Sequence, residues 1–305
     1  MAQPFSPARH FHPALPFLAV ALGIATFSMM DASMKSASLK AGVYVSLLLR
    51  NTIGTLLMLP LWRMTGGTWP ARPALKIHAL RSAVVAMMAS LFFWGLVRMP
   101  MAEALALSFI APLIALFLAA VLLGESIRPS AVVASLLGLA GVCVIAVARF
   151  GESGGASAAG LLAVLASAVF YAWNLVLQRQ QAQVASPVEV ALFQNLFVAL
   201  VLLLAAPAML LVNPALLAAP PPPAALIAIA LAALLTAVSL MLLTWGYARA
   251  ETQALVSIEY TAFLWAALFG WLLFDERVGP ASVAGAALIL LGCWIGTRKP
   301  AAGAF

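Results

Sequence analysis

The stretch Phe92–Ile145, FFWGLVRMPMAEALALSFIAPLIALFLAAVLLGESIRPSAVVASLLGLAGVCVI, returns as Leu243–Ile295, LTWGYARAETQALVSIEYTAFLWAALFGWLLFDERVGPASVAGAALILLGCWI. Trp94-Gly95 matches Trp245-Gly246, Arg98 matches Arg249, and Ala104-Leu105 matches Ala254-Leu255. The charged turn Gly124-Glu125-Ser126-Ile127-Arg128-Pro129 matches Asp275-Glu276-Arg277-Val278-Gly279-Pro280, and Gly141 matches Gly292. Upstream the repeat is fainter, Leu48–Asn51 (LLRN) against Leu192–Asn195 (LFQN). The duplication divides the chain into residues 1–150 and 151–305, each with five apolar segments. An odd number of spans inverts the second copy in the membrane. Many transporters use such inverted copies to place one central site between two alternating gates.

Composition supports the same class. Of 305 residues 65% are hydrophobic and 8% charged, where a soluble domain carries about 25% charged residues. Mean hydropathy is +1.09. A bilayer core needs about 20 apolar residues per helix. The predicted spans are Ala14–Met34, Ala41–Trp62, His78–Val97, Met101–Leu123, Ser130–Ala148, Ala158–Gln178, Val188–Leu210, Ala224–Tyr247, Gln253–Phe274 and Ala281–Thr297. The runs are unbroken rather than alternating, which excludes a membrane β-barrel. The first run is long and flows into a second span, so it is not read as a cleavable signal. The expected fold is therefore an all-α integral membrane protein of ten transmembrane helices in two inverted five-helix repeats.

The net charge of +7 is explained by topology rather than by nucleic acid. With the N-terminus inside, ten of the sixteen Lys and Arg fall on the cytoplasmic side, five on the other, and Arg50 within a span. That excess places both termini in the cytoplasm. Cys143 and Cys293 lie in apolar helices and read as buried, small apolar residues. No Cys/His cluster suggests a metal, and no cofactor is implied.

The longest loops are 63–77 and 211–223, the second stiffened by Pro220-Pro221-Pro222-Pro223. Gly151–Gly155 (GESGG) reads as a flexible link between the copies. Gly292 with Gly296, and Ala134 with Gly138, form small-residue faces of the kind that let helices approach closely. Packing within a monomer is the plainer reading of them, and a dimer seam the other. Pro112 removes a backbone hydrogen bond within the fourth span and predicts a kink; its counterpart is Ala262.

Met101–Ile145, running through Leu122-Leu123-Gly124-Glu125 into a glycine-rich helix, resembles the EamA-type drug/metabolite transporters. So does Ala254–Ile295, where Ser257-Ile258-Glu259-Tyr260-Thr261 leads to Leu272-Leu273-Phe274-Asp275-Glu276. The resemblance implies the ten-helix fold of two inverted repeats, a small-molecule substrate, and a multi-pass place in the bacterial inner membrane. Members commonly export amino acids, metabolites or drugs, and some take up compounds such as S-adenosylmethionine. The overall look is nearest the bacterial aromatic amino-acid exporters. Many members carry Glu-Pro in the ninth span; here the pair is Glu259-Tyr260.

A charge at mid-bilayer costs at least a few kcal/mol, which singles out Asp31, Arg50 and Glu259. Arg50 is nine residues into its span, about 13 Å deep at a rise of 1.5 Å per residue, and Glu259 lies at a similar depth. The family often has an arginine in the second span, a place Arg50 matches. Arg50 either pairs with an acid or caps backbone carbonyls to hold helices together, or contacts substrate. Glu259 can bind an ammonium or take up a proton. Asp31, four residues before Lys35, reads as a surface i,i+4 pair or as a coupling residue. Tyr171 and Asn174 share a face at i,i+3, with Trp173 between them. Gln194 and Asn195 occupy the places of Arg50 and Asn51. Trp94, repeated as Trp245, and Tyr260 complete a candidate cavity wall, with packing as the alternative for each aromatic. Trp62, Trp69 and Trp294 suit the bilayer interface. His78 and Arg81, at the cytoplasmic start of the third span, form an inner gate or mark the interface. An arginine, a carboxylate, amides and aromatic faces together suit a zwitterion with an apolar side chain.

An enzyme would need a catalytic constellation, yet His10, His12 and His78 all lie near or outside one surface, and no phosphate-binding loop is present. A channel would need a ring of like polar groups, whereas here the polar groups differ between copies.

Overall fold

The computed structural model describes residues 15–111, 113–114, 129–153, 155–181, 185–217, 219–247 and 261–297. Among them are ten α-helices: α1 Leu15–Ala41, α2 Val43–Met64, α3 Arg72–Leu96, α4 Met101–Ser108, α5 Pro129–Ser153, α6 Gly155–Gln181, α7 Pro187–Val212, α8 Pro223–Tyr247, α9 Ala262–Phe274 and α10 Pro280–Thr297. The described residues contain no strand. Six helices, α1, α2, α3, α6, α7 and α8, contain segments long and apolar enough to cross a bilayer. Their outward faces carry Leu22, Leu56, Leu162, Leu204 and Ile227, a surface suited to hydrocarbon rather than water.

Several boundaries differ from the sequence reading for local reasons. Helix α1 continues to Ala41, so Asp31 and Lys35 are helical and buried rather than at a wet end. Pro73 at the first turn needs no N–H there, and α3 starts at Arg72. His78 and Arg81 therefore fall in the second and third turns of α3 rather than at its first residues. The GESGG stretch is largely helical: α5 runs to Ser153 and α6 begins at Gly155. Cys143 is free and faces outward, which corrects its expected burial; outside the bundle its neighbour would be lipid. Gly42, at φ 79°, separates α1 from α2, a conformation open to glycine because it has no Cβ. Asp275 closes α9 at φ 54°, the left-handed region that Asp tolerates better than most residues.

Packing repeats with the sequence. Helix α3 lies against α6, and α8 against α1. A Cβ on Gly95 would sit 2.5 Å from Val164 Cγ2 and 2.7 Å from the Gly160 carbonyl. A Cβ on Gly246 would sit 2.5 Å from Val20 Cγ2 and 3.1 Å from the Pro16 carbonyl. The Trp-Gly steps are thus two copies of one backbone approach. Ser167 of α6 donates to the Met88 carbonyl of α3 at 2.8 Å, and Ser239 of α8 donates to the Gly23 carbonyl of α1 at 2.8 Å.

Helix α5 crosses α10 where Gly141 meets the Gly285 carbonyl and Gly285 meets Ile145. Neither glycine belongs to the two small-residue motifs singled out in the sequence; Gly138 faces Leu113 instead. Helix α2 lies against α7 and α4 against α9. The main core joins Met30, Met34, Leu47, Phe93, Leu107 and Ile289 from five helices.

Candidate functional site

Three groups of polar side chains stand out among those buried in this apolar bundle. At one end of the bundle, Lys35 of α1 makes an ion pair with Glu276, which follows α9. The Lys35 ammonium also donates to the Met99 carbonyl at 2.7 Å and lies 5.2 Å from the centre of the Phe274 ring. Glu276 Oε2 accepts from the Met101 backbone N–H at 2.8 Å. Ser282 of α10 donates to Glu103 of α4 at 2.6 Å. These contacts tie together α1, the α3–α4 connection and the α9–α10 connection. The expected Asp31–Lys35 pair is not formed, because the Lys35 head reaches along its helix to partners that chain connectivity hides.

At the opposite end His78, Arg81, Asn174 and Gln181 are all buried. Arg81 Nε donates to Asn174 Oδ1 at 2.8 Å, and Arg81 Nη1 donates to Gln181 Oε1. Arginine only donates, so Gln181 must turn its carbonyl toward Arg81 and its NH2 toward His78 Nδ1. His78 Nδ1 is then the acceptor, and its Nε2–H points to Glu189 Oε1, 3.1 Å away. The chain Arg81–Gln181–His78–Glu189 therefore runs with every donor facing the same way across α3, α6 and α7. Phe193 stacks on the His78 ring at 5.2 Å, and the edges of Trp62 and Trp69 close around Phe193. Trp69 is exposed, as an interface residue would be, whereas Trp62 is buried in this aromatic plug, which corrects its expected place at the bilayer interface. His78→Leu should leave Gln181 and Glu189 short of partners, a loss of about 1–3 kcal/mol. Thermal unfolding in detergent should register it, with Glu189→Gln, which keeps an acceptor, losing less than half as much.

Between the two ends lie Asp31 of α1 and Arg50 of α2. Both are buried, at 3% and 9% exposure. Arg50 Nη1 approaches the Met30 sulfur at 3.5 Å, and its Nε has no hydrogen-bond partner among the described residues. The two opposite charges act on one another, yet neither described ion pair contains them. Ser46, one turn from Arg50 on the same face of α2, has a buried hydroxyl without a partner. That is unusual in this helix. Asn51, Thr52 and Thr55 each satisfy themselves on the carbonyl four residues back, at 2.7–2.8 Å.

The remaining candidates fall elsewhere. Trp94 is partly exposed, with the Arg98 guanidinium 3.5 Å over its ring. Tyr171 and Trp173 are exposed while Asn174 is buried, and a two-residue step turns a helix by about 200°, so the two rings cannot share one cavity. Asn174 serves Arg81. Asn195 bonds back to the Ala191 carbonyl at 2.9 Å and fills the space over Gly54; Gln194 is half-buried beside it. Pro112, Glu259 and Tyr260 lie outside the described residues. Gln181, Glu189 and Ser46 escaped the sequence reading because a lone polar residue near a helix end or among serines carries no spacing signal. Glu276 was visible as a repeated charged turn, without its partner.

Comparison with known proteins places these features in a lineage. The pseudopaline exporter CntI of Pseudomonas aeruginosa is 29% identical over 270 residues, 88% of this chain and 90% of that protein. A protein of known crystal structure, 24% identical, covers 92% of this chain and 96% of its own with a TM-score of 0.61, a likeness of fold. The EamA-like transporter family matches the chain twice, over residues 15–147 and 158–297. The two matches lie on either side of the α5–α6 junction. The chain is a multi-pass membrane transporter, not an enzyme, and it belongs to the EamA-like transporter family.

Proposed function

We propose that this transporter is an alternating-access exporter of small zwitterionic metabolites of the amino-acid class, including apolar and aromatic ones. It is read as a monomer of ten spans in two inverted repeats, set in the bacterial inner membrane with both termini in the cytoplasm. The repeat relation advances each helix by five. Under it the α1–α8 contact becomes α6–α3, α2–α8 becomes α7–α3, and α1–α9 becomes α6–α4; all six pairings occur. Such exchange of pairings supports two copies related by a two-fold axis. The Lys35–Glu276 latch supports a closed gate at one end. Export of a metabolite by the Pseudomonas aeruginosa relative supports the direction.

The observation that carries the substrate class is Arg50. Its guanidinium is buried, touches a thioether sulfur and leaves Nε unpaired, an arrangement that favours an incoming carboxylate with two acceptor oxygens. Counterflow of labelled amino acids in proteoliposomes tests the reading. Saturable exchange is expected. Arg50→Ala should lower it at least tenfold, about 1.4 kcal/mol or more, while the protein still inserts and folds, and Arg50→Lys should be intermediate. Full exchange by correctly inserted Arg50→Ala protein would remove Arg50 from the site.

A further inference from the structure

Asp31 has no assigned role once Lys35 is taken up by Glu276 and the Met99 carbonyl. We infer that Asp31 is the ammonium-selecting residue of the substrate site, so that a zwitterion seats its carboxylate on Arg50 and Ser46 and its amino group on Asp31. The inference rests on the proposed zwitterion carrier and adds the residue that sets its specificity.

Asp31 and Arg50 are buried opposite charges on adjacent helices that make no ion pair with each other. Asp31 lies eleven residues before Gly42 and Arg50 eight residues after it, so at a rise of 1.5 Å per residue they stand about 16 and 12 Å from the turn. They face each other at nearly one depth. Contact between the helices is direct there, since the Arg50 Nη1 touches Met30, the neighbour of Asp31. Even so the carboxylate and guanidinium do not meet. Among the described residues neither the buried carboxylate nor the buried guanidinium has a counter-ion in contact, and each alone is costly in an apolar bundle.

One molecule can satisfy both: a head group with ammonium and carboxylate a few ångströms apart inserts between them, its charges reversed relative to the protein's. The unpartnered Ser46 hydroxyl and Arg50 Nε lie on one face of α2 and add two donors for the substrate carboxylate. A monoanion would satisfy Arg50 and leave Asp31 unpaired, and a monocation would do the reverse. The pair therefore selects zwitterions over either. Among the described ion pairs, Lys35–Glu276 and His78–Glu189 are both engaged elsewhere.

The test compares phenylalanine with its deaminated analogue, phenyllactate, in proteoliposomes holding the full chain. Wild-type protein should exchange phenylalanine at least tenfold better than phenyllactate. Asp31→Asn, equal in shape, should lose phenylalanine exchange at least tenfold and abolish or invert that preference. Asp31→Glu should keep a preference for the amino acid, at a ratio altered by the longer side chain. Size-exclusion and thermal unfolding in detergent report folding, and if Asp31→Asn does not fold, the preference ratio of Asp31→Glu against wild type decides. A purely structural Asp31 would lower both substrates together, so an unchanged preference ratio in the variant that decides overturns the inference. Wild-type protein that favours phenylalanine while Asp31→Asn keeps the same ratio sinks this inference and leaves the zwitterion carrier standing; wild-type protein that exchanges no amino acid overturns both.

Discussion

Glu276→Gln is expected to open the Lys35 end of the bundle. In the wild type one carboxylate holds the Lys35 ammonium with one oxygen and the Met101 N–H with the other, so three chain segments close on a single side chain. The amide keeps an acceptor for Met101 and loses the charge. Removing one partner of a fully buried pair costs about 3–5 kcal/mol. Glu276 is 16% exposed, so water relieves part of that and about 1–3 kcal/mol is the appropriate range. In the proposed alternating-access cycle the loss falls on the closed state alone, and it shifts the closed-to-open ratio by roughly 5- to 150-fold. A cysteine at Met34, buried one residue before Lys35, reads this out in a Cys143→Ala, Cys293→Ala background. Labelling by a membrane-impermeant maleimide should be at least fivefold faster with Glu276→Gln. Lys35→Met combined with Glu276→Gln should close the end again, since an apolar side chain in place of the ammonium leaves no buried charge unpaired. Equal labelling in wild type and Glu276→Gln would show that the pair is no latch.

Gly141→Leu is expected to separate α5 from α10. A Cβ at Gly141 would fall on the Gly285 carbonyl and 2.7 Å from Ile289 Cγ1, and one at Gly285 would fall 2.6 Å from Ile145 Cγ1. Ile145 and Ile289 are almost fully buried and have no free space to turn into. A helix carbonyl cannot rotate away, so the axes must part. In a bilayer, helix association rests largely on close van der Waals packing, and parting the axes forfeits it along the whole seam. Overpacking typically costs about 1–3 kcal/mol, and this site belongs at the top of that range or above. Loss of the monodisperse size-exclusion peak and a lower thermal midpoint are the expected readings. Gly279→Ala, with nothing within 4 Å of the added methyl, should be silent in both. A well-folded Gly141→Leu protein would contradict the crossing.

Composition and unbroken apolar runs give helices in lipid, because hydropathy is a local property that the bilayer thickness converts directly into helix length. The duplication gives the register of the copies, and with it the equivalence of Gly95 and Gly246. Both turn out to be backbone approaches, since any residue larger than glycine would clash there in either copy. Arg50 stands out in the sequence by its place within an apolar span, and the structure shows it buried among the helices.

Pairings were another matter. Lys35 stands four residues from Asp31 and 241 from Glu276, and it chose the distant acid. Spacing along one helix predicts only which groups share a face, whereas the partner depends on how neighbouring helices are rotated and slid. The same reason hid the Arg81–Gln181–His78–Glu189 chain and made Gly141 with Gly285, rather than the more regular glycine motifs, the crossing point. By itself the sequence determined a twofold-repeated helical bundle for lipid and marked a buried arginine. Only the tertiary structure decided that Lys35 pairs with Glu276 and leaves Asp31 buried within the field of that arginine, because a charge's partner is set by the packing of helices against one another, which no single helix encodes.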